Sequence, residues 1–230
     1  MTPKQVLERA VQELGGAPEV VLGTPLSSAE LAELERKVGL PFAAPLRELL
    51  EYARGFECRK FGKVIFSGVG EVGLSGLSPA GVPISWDPSG NFWLADVKPD
   101  GDWGPIWFVC HDPPVVVIQS VDLADFIGRA LLGAEPVSEV IGPAVGRIWH
   151  DDPFLMPVEA ARMSGDSVLS EFAEQLPEEF KVADLRNADV GAGFAWGRAG
   201  PNATLRRFGH ALLFGIEWRR KSLLRRLMGR

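Results

Sequence analysis

The chain has 230 residues, of which 46% are apolar and 23% charged, so it is long and apolar enough to bury a core, and chain-wide disorder is excluded. Its formal net charge is −6, unevenly placed: residues 206–230 carry eight Arg or Lys against Glu217 alone, or +7, and residues 1–205 carry 16 bases against 29 acids, or −13. An acidic body repels nucleic acid and favours basic protein partners by steering.

From the N-terminus, Val6, Leu7, Ala10, Val11 and Leu14 share one face of a helix expected from about Pro3 to Leu14, stopped by Gly15-Gly16. A second helix starts at the capping box Ser27-Ser28-Ala29-Glu30, with Leu31, Leu34 and Val38 inward and Gly39 at its C-terminal end. Pro41 to Arg54 reads as a third, anchored by Leu46, Leu49, Leu50 and Tyr52 and ended by Gly55. From Phe61 to Gln119 the texture changes to short apolar runs divided by Gly, Pro, Asp and Ser. Lys63–Phe66, Ile84–Trp86, Asn91–Val97, Pro105–Cys110 and Val115–Gln119 are strand candidates. The short turns Asp87-Pro88-Ser89-Gly90 and His111-Asp112-Pro113-Pro114 can only join antiparallel neighbours, so a meander of four or five strands is expected. A helix follows, with Ser120 as its expected N-cap and Leu123, Phe126, Ile127, Ala130 and Leu131 on one face. Helices, antiparallel sheet, helix is an α+β order.

A core domain over 1–134 and a C-terminal extension over 135–230 are expected. Within the extension Glu135–Pro157 has no assignment. A helix capped by Asp166 or Ser167 is expected to run through Leu176, and Phe180–Leu185 and Gly193–Trp196 are strand candidates. Leu212, Ile216, Leu223 and Leu227 fall at helical spacing, although Leu213-Phe214-Gly215-Ile216 equally suits a strand.

The segment Ser27–Leu132 resembles the SUKH superfamily, of the Smi/Knr type. Four places carry the resemblance: the acidic Leu-rich helix Leu31-Ala32-Glu33-Leu34-Glu35 leading to Gly39-Leu40-Pro41; Pro45-Leu46-Arg47-Glu48-Leu49-Leu50 closing at Gly55; the hairpin Ile84 to Trp93; and Ile106 to Pro113, followed by a strand and a helix with Phe126-Ile127. The resemblance implies one antiparallel sheet packed by helices. It also implies a protein-binding role, as an immunity protein that neutralises a cognate toxin domain or as a regulatory scaffold of the cell-wall-regulator kind. Nothing after about residue 134 matches the pattern.

The residues support a binding role independently. Trp86, Trp93, Trp103 and Trp107 lie in the strand region, with Asp87, Asp96, Asp100, Asp102 and Asp112 around them. Tryptophan dominates binding hot spots, and acids beside it suit a basic partner. Trp93 and Trp107 read as core-facing, whereas Trp103, in Asp100-Gly101-Asp102-Trp103-Gly104, reads as an exposed anchor. The candidate partner-binding set is therefore Trp86, Asp87, Asp100, Asp102, Trp103 and Asp112.

Chemical motifs are thin. Gly68-Val69-Gly70-Glu71-Val72-Gly73 matches the dinucleotide pattern, but Ser75-Gly76-Leu77-Ser78-Pro79 resists the helix that must follow. His111-Asp112 and His150-Asp151-Asp152 are explained as turns before proline, and three histidines are poor material for a metal site, so a metal-dependent hydrolase is only a second alternative. No nucleophile elbow exists, and Cys110 and His111 would face opposite sides of a strand. No cofactor, metal or catalytic residue is expected. Two widely spaced cysteines argue against a disulfide scaffold, and the absence of an apolar leader or span makes the cytoplasm the expected location. The basic segment 206–230 either docks on the acidic body or lies on an anionic membrane surface.

Overall fold

Three helices open the fold in the computed structural model, which describes residues 1–15, 19–70, 76–134, 137–200 and 202–218, and only the backbone of 137–140. Helix α1 (Pro3–Glu13) is held by a Thr2/Gln5 capping box, and α2 (Ser28–Val38) by the expected Ser27/Glu30 box and a left-handed Gly39. Between them β1 (Val20–Leu22) starts a small sheet. Helix α3 spans Ala44–Tyr52, shorter than expected. Gly55 does not end it but opens β2 (Gly55–Cys58), which pairs with β1 and with β3 (Gly62–Ile65). Only glycine suits position 55, because a Cβ there would stand 2.0 Å from the Val64 carbonyl oxygen.

The meander follows as β4 (Val82–Trp86), β5 (Phe92–Val97), β6 (Trp103–Cys110) and β7 (Val115–Ser120), all antiparallel. Helix α4 (Leu123–Leu132) is capped by Asp122, whose side chain accepts from the Asp125 N–H; Ser120, the expected cap, is the last residue of β7. The fold is α+β, with N-terminal helices, an antiparallel meander and a helix after it.

Beyond α4, the unassigned stretch forms α5 (Val137–Asp151) and β8 (Leu155–Pro157). Then come α6 (Val158–Arg162), α7 (Ser167–Glu174, capped by Asp166), β9 (Phe180–Asp184), β10 (Gly193–Ala195), β11 (Leu205–Arg207) and β12 (Leu213–Glu217). Leu213–Ile216 is thus strand and not helix. Residues 219–230, most of the basic segment, lie outside the described residues.

One of these strands, β10, decides the architecture. β10 pairs with β7 and extends the central sheet to the order β10-β7-β6-β5-β4, while the remaining four form a second sheet, β11-β12-β9-β8. One face of the central sheet, through Trp93, Ala95, Ile106, Phe108 and Val117, buries against α1, α3, α4 and α5. The opposite face, through Leu94, Trp107, Val109, Val116 and Ile118, packs on Ala183, Phe214 and Ile216 of the second sheet. Helices α6 and α7 cover the far side of that sheet on Val182 and Leu213. The layers therefore run helix, sheet, sheet, helix, and near-continuous burial along β6 and β7 follows from a sheet covered on both faces.

Candidate protein-binding face

In a meander, alternate turns emerge at opposite ends of the sheet, and this divides the six candidate residues. The turns 87–91 and 111–114 share one end; the turn 98–102 lies at the other.

At the second end the hairpin is fastened to the helices. Gly101, at φ +79°, accepts from the Ala43 N–H through its carbonyl (3.1 Å) and approaches Pro41 so closely that a Cβ would lie 2.0 Å from the Pro41 oxygen. Asp100 is exposed and accepts from the Asp102 N–H (3.1 Å), and the Asp102 carboxylate stands 3.7 Å from Lys98 Nζ. Trp103 is not the exposed anchor expected from its loop-like sequence. It is the first residue of β6, paired with Val97, and 0% exposed, with its ring edge-on to Phe42 at 5.6 Å. The docked Gly101 turn brings Phe42 onto the indole, and that is the physical reason for its burial. Asp100, Asp102 and Trp103 border an open cleft of about 560 Å³ shared with Pro3, Pro45 and Asp122.

At the first end Trp86 is 59% exposed, the only exposed large aromatic among the described residues. It ends a cross-strand row. Phe194, Val116, Val109, Phe92 and Trp86 pair in succession from β10 to β4. Phe194, Val116 and Val109 are buried under the second sheet, Phe92 is half-buried, and Trp86 emerges into solvent. The row is an apolar ladder of cross-strand pairs whose last rung is uncovered.

The turns beside Trp86 are preorganised. Asp87 Oδ1 accepts from the Ser89 N–H (2.9 Å) and the Asn91 N–H (3.0 Å), and Oδ2 accepts from Asn91 Nδ2 (2.8 Å). Asn91 Oδ1 then accepts from the His111 N–H at 3.0 Å and ties the two turns together. Asp112 and His111 are exposed on the second turn. The Cys110 thiol behind them is pushed up, first by burial and then by the charges of Asp112 and Asp87, which makes it an inert core thiol. Trp86, Asp87 and Asp112 are therefore brought together, whereas Asp100, Asp102 and Trp103 sit a strand-length away.

Asp96, an acid that sequence grouped with the surface set, is also internal. It is 2% exposed and receives both Arg207 Nη1 (2.9 Å) and Nη2 (2.8 Å), with the Ser78 hydroxyl donating as well. Arg207 completes its donor set on the carbonyls of Leu77, His210 and Ala211. This buried pair joins β5 of the central sheet to β11 of the second. Arg207 was read only as part of a basic tail; an aspartate on the apolar face of β5 was the signal that a buried cation had to exist.

The chemical motifs gather nothing. His111 and His150 are exposed and far apart in the chain, and among the described residues no three His, Cys, Asp or Glu are placed to hold a metal. Residues 71–75 of the glycine-rich loop lie outside the described residues, and 76–81 contain no helix to receive a pyrophosphate. No helix among the described residues is long and apolar enough to cross a membrane. Half-buried Asp152, at φ +46°, pairs with Arg198 (3.1 Å), whose guanidinium lies over Trp149 (4.7 Å) and Trp218 (5.5 Å). Lys181 Nζ is 3.5 Å from the Trp218 ring centroid, and its pKa is lowered chiefly by burial.

These features define an α+β protein whose helix-backed meander presents an exposed tryptophan beside two aspartates at one end. Residues 25–129, just under half of the chain, match the model of the SMI1 / KNR4 family (SUKH-1), and over this segment the chain is similar to the SUKH superfamily. No curated protein matches the chain.

Proposed function

We infer that the protein binds another protein, as an immunity protein that neutralises a toxin or effector domain by covering it. The SMI1 / KNR4 match over 25–129 is the observation that carries this reading. The structure adds a surface suited to it: Trp86 standing out of an apolar row, with Asp87 and Asp112 beside it on two hydrogen-bonded turns. A rigid tryptophan loses little entropy on binding, and flanking acids steer a basic partner and fix its register. The mechanism is occlusion, with this end lying over the partner's basic active cleft. The partner-binding residues are then Trp86, Asp87 and Asp112, and Asp100 and Asp102 belong to the opposite end.

Affinity capture with the tagged protein from its native cells, at low salt, with mass spectrometry of the retained proteins, tests the reading. One stoichiometric partner bearing a toxin-like domain is expected. A dispersed set of envelope or regulatory proteins, or none, would contradict it.

A further inference from the structure

The Trp86 end carries charge of both signs, and the two signs lie on opposite sides of the tryptophan. The segment 63–69 flanks the outer edge of β4: the Val69 N–H donates to the Pro83 carbonyl (2.8 Å), and the Ser85 hydroxyl donates to the Lys63 carbonyl (2.7 Å). The two runs are therefore antiparallel, and one residue further along β4 Trp86 stands beside the β2–β3 turn, residues 59–61. The Phe61 ring agrees with this placement, since it lies 4.8 Å from the ring of Trp93, the cross-strand neighbour of Ser85. Across this end of the molecule the order is thus Asp112, Asp87, Trp86, then Arg59 and Lys60. Asp112, Arg59 and Lys60 are exposed and Asp87 is half-buried, and among the described residues none of the four is in an ion pair. Lys63, further along, faces Glu57 across the β2–β3 ladder, so its charge is locally offset.

A contact between two copies related by a two-fold axis requires a surface that complements itself under that rotation. This end meets the condition. An axis through Trp86 sets the Asp87–Asp112 flank of one copy against the Arg59–Lys60 flank of the other, twice, with Trp86 and the half-buried Phe92 of both copies at the centre. We propose that a second copy of this chain docks on the Trp86 end through that two-fold contact. Tryptophan supplies a large, rigid contact area, and charges that pair in one orientation fix the register. The patch is small, so the pairing belongs to the weak and reversible class. It gives a cover to the one large aromatic that the described fold leaves exposed. The proposal stands on the patch and not on the immunity reading. Where both hold, they share a face, and a partner binds by splitting the dimer.

Sedimentation velocity of the full chain, over the range of about 5–500 µM in which a small interface associates, tests it. The wild type is expected to pass from monomer to dimer and no further, because a two-fold contact closes on itself. Trp86→Ala is expected to weaken the association about 30-fold, the loss of a central hot spot. Two charge variants, Arg59→Glu with Lys60→Glu and the single Asp112→Lys, are each expected to be monomeric alone, because like charges then meet on both sides of the axis. Mixed in equal amounts they are expected to regain a dimer. The intact Asp87–Asp112 flank of the first meets the intact Arg59–Lys60 flank of the second, and the introduced lysine meets the introduced glutamates. Mixing does not restore a misfolded chain, so this rescue separates contact from stability. A wild type that stays monomeric throughout overturns the proposal. So does a dimer that survives all three variants, since it lies on another face, and so does a mixture that fails to associate. Capture of a toxin-bearing partner by a chain that never dimerises leaves the functional reading standing and removes only the pairing. A dimer with the expected variant pattern and no partner in cells does the reverse.

Discussion

Trp86 and Trp103 are both tryptophans at strand ends with aspartates next to them, yet one is 59% exposed and the other 0%. The difference lies in what each neighbouring turn touches. The 98–102 turn is fastened to the α2–α3 connection through Gly101 and Ala43, so Trp103 closes over Phe42. The 87–91 turn is fastened only to the neighbouring 111–114 turn, through Asn91 and His111, so nothing among the described residues covers Trp86. The same local pattern thus yields a core anchor at one end of the sheet and an exposed tryptophan at the other, and tertiary docking of the turn decides which.

The largest effects should come from breaking the closed regions. Trp103→Ala is expected to cost about 3–5 kcal/mol, as for a fully buried aromatic, measured by urea unfolding. Arg207→Met should cost about as much, 3–5 kcal/mol, because it strands the buried Asp96 carboxylate between the two sheets. An unchanged packing of the second sheet on the central one in this variant would show that the pair is not what joins them. Gly101→Ala should cost more than about 1 kcal/mol, since it sets a Cβ against the Pro41 carbonyl at a positive φ.

A smaller effect is pH-dependent. Asp184 and Asp166 are both held below the ordinary carboxylate range by Arg186, which bonds to each of them. Depressed carboxyl values stabilise the fold fully above about pH 4 and lose that contribution as pH falls through the lowered values. Arg186→Met should therefore be less stable than the wild type at pH 7, with the two unfolding midpoints converging in acid. A gap that widened in acid would contradict this assignment. The smallest stability effect belongs to Trp86→Ala, within about 0.5 kcal/mol of the wild type, because the side chain is largely exposed.

Much of the family domain was legible. Capping boxes, helix periodicity and short turns are local signals, and α1, α2, α4 and the β4–β7 meander followed from them; the resemblance placed them in order. Four kinds of feature were not local. Strands β1 and β2 are short and depend on pairing across distance. Pro143 inside α5 hid that helix, although Ile141, Val145 and Ile148 line its buried face. β10 adds three residues to a sheet completed more than 70 residues earlier, a placement that no periodicity announces. Burial of Trp103 depended on Pro41 and Phe42, some 60 residues upstream. At the candidate site, residue types were readable but grouping was not. Six residues close in sequence were taken as one face, and the alternation of meander turns sends them to two ends.

The central claim is that the Trp86 end, and not the Asp100–Asp102 cleft, engages the partner. The direct measurement is the dissociation constant of the captured partner for wild type, Trp86→Ala, and Asp100→Asn with Asp102→Asn, by calorimetry on folded proteins. Trp86→Ala should weaken binding about 30-fold, the effect of losing a hot spot of about 2 kcal/mol, and the cleft variant should stay within about twofold of wild type. The reverse ranking, or a Trp86→Ala protein that binds as tightly as the wild type, would contradict the account.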